Sequence, residues 1–130
     1  MIKKIDHIGI VVKNLDASIL HYEKDLKLSL LRREQNPAFH VDIAFFRCGD
    51  VLIELLSPYG PGMNQDFLDK TGGGIHHIAY EVDDLSSMYN EVADTLGHKD
   101  RIQPGAGGSS IFFIDAKNLD NVETEFVQFP

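Results

Sequence analysis

Ile5-Asp6-His7-Ile8-Gly9-Ile10-Val11-Val12-Lys13-Asn14-Leu15 and, 70 residues on, Ile75-His76-His77-Ile78-Ala79-Tyr80-Glu81-Val82-Asp83-Asp84-Leu85 are two copies of one pattern. His7 and His77 coincide in them. Each copy is a β-branched, apolar-rich run of strand length that ends in a residue able to cap a helix, Asn14 in the first and Asp83 or Asp84 in the second. A repeat of this length means that one supersecondary unit is used twice, and it organises the reading of the rest of the chain.

A helix follows each opening strand. In the second copy Leu85, Met88, Tyr89, Val92 and Leu96 recur at helical spacing, and Gly97 ends the stripe. In the first copy Leu15, Ile19, Tyr22 and Leu26 share a face. Short strands come next: Leu28 to Leu31, Val41 to Phe46 and Val51 to Leu56 in the first half, with a tight turn at Cys48-Gly49-Asp50. The second half offers Arg101-Ile102, Ser110 to Ile114 and Val122 to Val127. The expected fold class is α+β: strand, helix and three strands, used twice in a single domain over 1–130. The repeats cover 1–57 and 75–130. The connector, 58–74, contains the Gly- and Pro-rich stretch Pro58 to Met63 and a short helix from Asn64 to Lys70.

Shifted by 71, Val51-Leu52-Ile53-Glu54-Leu55-Leu56 lies on Val122-Glu123-Thr124-Glu125-Phe126-Val127, so each copy closes with a glutamate inside a strand. Glu54 interrupts an apolar run, and His7 stands in the middle of another. An ionised carboxylate in such a place costs several kcal/mol unless it is paired or bound to a metal. Repeat-related positions in the first and last strands of both copies argue for one shared cause. His7, Glu54, His77 and Glu125 are therefore the candidate metal ligands. Two imidazoles and two carboxylates suit Zn, Co, Ni, Mn or Fe(II) and leave positions open for a substrate that chelates through two oxygens. Because strand side chains alternate, His76 points away from the face that carries His77.

Composition narrows the function. The net charge is −8, with 12 Lys and Arg against 20 Asp and Glu, which argues against nucleic acid as a main partner because phosphate binding needs a broad basic surface. Arg32-Arg33 reads as a solvated strand end. No apolar run approaches the ~20 residues of a membrane helix, and Met-Ile-Lys-Lys-Ile-Asp lacks a signal-peptide core, so a cytoplasmic protein with no membrane partner is expected. Cys48 is the single cysteine, which excludes an intrachain disulfide and a thiolate cluster. A curved open sheet leaves edges to cover, so a homodimer is expected.

Asp6-His7-Ile8-Gly9-Ile10, Ile53-Glu54-Leu55-Leu56-Ser57-Pro58, the stretch from Gly74 to Asp84 and Pro104-Gly105-Ala106-Gly107-Gly108 together resemble the vicinal-oxygen-chelate superfamily, and most closely its methylmalonyl-CoA epimerase branch. The resemblance covers nearly the whole chain. It implies two βαβββ units forming a curved mixed sheet around one divalent metal ion (Co, Ni, Zn or Mn) held by His7, Glu54, His77 and Glu125. The implied chemistry is polarisation of a thioester carbonyl, followed by removal and return of the neighbouring proton. Glu125 or Glu54 is implied as one proton-transfer group. Asp42 is implied as the other, through an alignment with a one-residue gap.

The chain departs from the epimerase pattern at Gly62-Met63-Asn64-Gln65, at Asp115-Ala116-Lys117 and at Gly107, while Asn36-Pro37 is similar to glyoxalase I. The leading expectation is an epimerase-like isomerase acting on an acyl-CoA. Glyoxalase I (lactoylglutathione lyase), acting on a glutathione adduct with the same ligands, is the enzymatic alternative. A non-catalytic small-molecule-binding resistance protein generally lacks the four ligands present here. An extradiol dioxygenase would normally use two histidines and one carboxylate.

Overall fold

Strand β1 (Ile2–Val11) is followed by helix α1 (Leu15–Leu20), β2 (Ser29–Asn36), β3 (Val41–Cys48), β4 (Val51–Pro58), α2 (Met63–Thr71), β5 (Gly74–Val82), α3 (Leu85–Val92), β6 (Gln103–Pro104), β7 (Ser110–Phe113) and β8 (Thr124–Gln128) in the computed structural model, which describes residues 1–130. The class is mixed α+β, and the order is strand, helix and three strands, twice over. No helix is long and apolar enough to cross a membrane. The chain divides into two compact units, His7–His76 and Met1–Asp6 with His77–Pro130.

In the first unit the strands run in the order β2-β3-β4-β1. β1 and β4 are parallel, and the other neighbours are antiparallel. Cys48 pairs with Val51, which leaves Gly49 and Asp50 as the two-residue turn, with Gly49 at φ 63° where a side chain would be strained. Asn14 caps α1, its Oδ1 accepting from the Ala17 N–H at 3.0 Å. Leu15 and Ile19 of α1 pack on Ala44, Phe46 and Leu55, with Ile10, Ile53, Leu30 and Tyr22 around them. Each large apolar side chain buried here contributes about 1.5–3 kcal/mol.

The expected stripe on α1 stops at Tyr22, because His21–Asp25 is wound as a π turn in which the Leu26 N–H reaches the His21 carbonyl. That wider turn rotates the following residues, and Leu26 is 60% exposed. β2 also runs on through Arg32 to Asn36 rather than ending at Leu31. It is an edge strand, where charged side chains remain in water.

In the second unit the order is β5-β8-β7-β6, with β5 and β8 parallel. Residues before His7 group with this unit: Lys3 Nζ meets Glu81 at 3.2 Å, and the Met1 ammonium meets Asp83 at 2.7 Å. Of the two capping candidates, Asp84 caps α3 by accepting from the Ser87 N–H at 3.0 Å. Val82, Leu85, Val92, Phe112, Ile114 and Phe126 form the core, with Met88, Tyr89 and Leu96 against it. The stripe lies on the core as its spacing places it, but α3 ends at Val92 and Leu96 reaches the core from the turns that follow. Arg101-Ile102 is not a strand. There the Asp100 carboxylate substitutes for the ladder, accepting from the Phe113 N–H at 3.0 Å and from Gln103 Nε2 at 2.6 Å.

The strands of each unit therefore have one face covered by a helix. Alternation sends the remaining side chains to the other face, and the buried polar residues of interest lie there.

Candidate functional site

In the first unit Glu54 of β4 sits between two neighbours, Gly9 of β1 and Phe45 of β3. In the second, Glu125 of β8 sits between Ala79 of β5 and Phe113 of β7. The histidine lies two residues before the small residue in both, at His7 and His77. A glycine or alanine beside the glutamate leaves it room to lean toward the imidazole. The outcome is a close imidazole–carboxylate contact in each unit: His7 Nε2 to Glu54 Oε1 at 3.4 Å, and His77 Nε2 to Glu125 Oε1 at 3.1 Å.

All four residues are buried, His7 at 5%, Glu54 at 4%, His77 at 4% and Glu125 at 5% exposure. Each imidazole is held edge-on by the phenylalanine next to its glutamate. His7 meets Phe45 at 6.2 Å between centroids and 83°, and His77 meets Phe113 at 5.5 Å and 82°. Two aromatic walls thus fix two ring orientations.

The spacing within each pair fits a shared metal ion. Metal–nitrogen and metal–oxygen bonds of about 2.0–2.2 Å place two ligand atoms about 2.9 Å apart at a right angle and about 3.4 Å apart at the tetrahedral angle. The two contacts measured here fall within that interval. A charge-assisted N–H···O bond would be shorter, about 2.7–2.9 Å. Nitrogen and carboxylate oxygen are also the donor set that borderline divalent ions favour.

The structure does not bring Asp42 to this face. Across β3, Val41, Ile43 and Phe45 point to the side of Glu54, while Ala44 and Phe46 pack under α1. Asp42 alternates with the second group and pairs with Ser57 and Gln35. It is a half-buried side chain on the helix side of the sheet. His76, as alternation requires, turns away from the face of His77 and meets Phe67 of α2 edge-on at 4.9 Å.

Several residues around these two pairs carry no polar signal in the sequence. Phe45 and Phe113 read as ordinary core strand residues, and Gly9 and Ala79 gain meaning only from the strand register. Asp100 is another. Burial pushes its carboxyl above the usual range, and the charge of Glu125 adds to the effect. Its acceptor oxygen holds the backbone of Phe113, the ring that orients His77.

Residues 6–113 match the model of the Glyoxalase/Bleomycin resistance protein/Dioxygenase superfamily. The ethylmalonyl-CoA/methylmalonyl-CoA epimerase of Cereibacter sphaeroides is 31% identical over 134 residues, covering 98% of this chain and 99% of that one. A variant of the Streptomyces coelicolor methylmalonyl-CoA epimerase in complex with 2-nitronate-propionyl-CoA superposes with a TM-score of 0.93 at 28% identity, over 98% of each chain. The lactoylglutathione lyase of Haemophilus influenzae is 29% identical, covering 96% of this chain and 92% of that one. With a family match over that span and an epimerase relative aligned over nearly its full length, the chain belongs to the glyoxalase/bleomycin resistance protein/dioxygenase superfamily.

Proposed function

We propose that this chain is a divalent-metal-dependent isomerase that moves a proton α to a thioester carbonyl, of the kind represented by methylmalonyl-CoA epimerase. The observation that carries the reading is the duplicated pair, histidine and glutamate at coordination spacing on a buried strand face. His7, Glu54 and His77 are buried residues that each offer one ligand atom to a metal. Glu125 stands to His77 as Glu54 stands to His7. The likeness over the full chain to epimerases of known structure supports the view that all four serve one ion, of Co, Ni, Zn or Mn.

Such an ion, when bound, would polarise the thioester carbonyl and so acidify the neighbouring C–H. The chain's own groups then divide the remaining work. Glu125 and Glu54, the carboxylates that share a strand face with the histidines, take the proton and return it. Ile43 and Phe45 in one unit, and Ile111 and Phe113 in the other, line the same faces with apolar surface, which keeps water from a reactive enolate. Phe45 and Phe113 hold the imidazoles in place. An acyl-CoA is the small-molecule partner that this reading implies. With Asp42 on the helix side of β3, the reading assigns it no proton-transfer role.

The test is metal analysis of the purified protein together with α-proton exchange in D₂O over a panel of acyl-CoA thioesters. The expected result is metal bound at about one ion per chain and exchange on methylmalonyl- or ethylmalonyl-CoA that a chelator abolishes. Absence of exchange on every thioester, with thioester absorbance rising from methylglyoxal and glutathione, would replace this reading with the lyase one.

A further inference from the structure

Arg32 lies on an edge strand, where a solvated side chain is the ordinary expectation, yet it is turned onto the face that carries His7 and Glu54. Leu30 pairs with Phe46, and the next paired residue, Arg32, faces Phe45. Leu31 is the extra residue of a bulge. Without the bulge, alternation would have put Arg32 beside Leu30 on the α1 side. With it, Arg33 takes that side and reaches Asp16 of α1 at 2.9 Å, while the Arg32 guanidinium carbon sits 4.2 Å above the ring centroid of Phe45. Bulges recur beside active sites because they re-aim one side chain in this way.

The guanidinium is preorganised. Stacking on Phe45 fixes its plane, and its Nε donates to Glu34 Oε1 at 3.0 Å. Those contacts occupy the carbon face and one nitrogen, which leaves the two terminal nitrogens as a fork. Its side chain is 41% exposed, open to an incoming molecule. Two ring contacts, 4.2 Å and 6.2 Å, connect it to the imidazole of His7.

We propose that Arg32 is a specificity-determining residue that binds a carboxylate carried by the substrate. This rests on the metal-dependent reading above. A planar fork matches a carboxylate through two parallel hydrogen bonds. Its place on the strand face of His7 and Glu54, with only the Phe45 ring between it and the imidazole, favours a carboxylate near the reacting atoms over the phosphates of coenzyme A, which hang at the far end of the pantetheine arm. A malonyl-type thioester has such a carboxylate on the carbon that loses its proton. In a chain of net charge −8, a fixed cation at this place also offsets the general repulsion of an acidic substrate.

The test uses hydroxamates, which chelate a metal through two oxygens and need no turnover. Calorimetric titration of the metal-loaded protein compares acetohydroxamate with the monohydroxamates of malonic, succinic and glutaric acids. At least one acid-bearing probe is expected to bind roughly 10- to 100-fold more tightly than acetohydroxamate, the worth of charge-assisted hydrogen bonds. Arg32→Met removes that preference without changing acetohydroxamate affinity, Arg32→Lys restores part of it, and Arg33→Met leaves it intact. A merely structural arginine would shift all probes together. Equal binding of acid-bearing and neutral probes by the unaltered protein, or a preference that survives in Arg32→Met, overturns the proposal. Failure of acetohydroxamate itself to bind removes the metal reading and this proposal with it.

Discussion

A double substitution at His77 and Glu125 separates the contribution of this pair to function from its contribution to stability. Both residues are about 95% buried, and the lateral neighbours of Glu125, Ala79 and Phe113, are almost wholly enclosed. In metal-free protein, His77→Leu leaves the Glu125 carboxylate buried without the imidazole that faces it at 3.1 Å. Removing one partner of a buried pair costs about 3–5 kcal/mol. In a chain of this size each kcal/mol shifts the melting point by about 3–5 °C, so a fall of roughly 10–25 °C is expected. Leucine fills much of the space of either side chain. The combination His77→Leu with Glu125→Leu should therefore recover to within about 1 kcal/mol of the parent, or exceed it, because an apolar pair of similar volume replaces the buried polar one. Urea unfolding in chelator, followed by circular dichroism, measures the whole cycle. Strictly additive costs would refute the reasoning, since they would mean that the two side chains do not answer to each other. All three variants should fail to retain metal.

Metal loading should raise the melting point of the parent protein, by about 2.7 kcal/mol in free energy at a free metal concentration of 100 Kd. His7→Ala should abolish that shift, and Glu54→Gln should reduce it while leaving some, since an amide oxygen still coordinates. Asp42→Asn, on the α1 side of β3, is expected to keep both metal and exchange rate, and a loss of roughly 10²-fold or more would return it to the site. The Met1 ammonium donates a hydrogen bond to Asp83, the Ser87 N–H donates one to Asp84, and both carboxyls are held below their ordinary value of 3.8. A depressed folded-state pKa gives stability that is present above the ordinary value and lost as pH falls through the folded one. Converting both residues to asparagine should therefore flatten the acid limb of the stability curve, and an unchanged slope below about pH 4 would refute it. Light scattering should find a homodimer, and a stable monomer near 15 kDa would count against it.

Much of the fold could be read from the chain because the periodic signals were long. The stripe from Leu85 to Leu96 and the strands around Phe46, Leu55 and Val127 needed only spacing and burial to be placed. His7, Glu54, His77 and Glu125 stood out because they interrupt apolar runs at repeat-related positions, and the structure pairs them within each unit. What escaped were effects of register. The bulge at Leu31 turns Arg32 onto the face of His7 and Glu54, and nothing in Leu30-Leu31-Arg32-Arg33 announces it. The face occupied by Asp42 depends on counting from Phe46, not on residue type. The π turn that exposes Leu26 and the side chain of Asp100 standing in for a strand ladder are likewise local replacements of one hydrogen-bond pattern by another, to which composition is blind.

Ala79 has a second consequence beyond making room. The doublet His76-His77 means that β5, threaded one residue out of step, would still offer an imidazole where one is needed. Residue identity at the histidine therefore cannot reject the error. The same slip would bring Ile78 against Glu125 in place of Ala79, and its branched side chain would occupy the space into which the carboxylate leans. Correct threading of the strand is thus proofread by its smallest side chain.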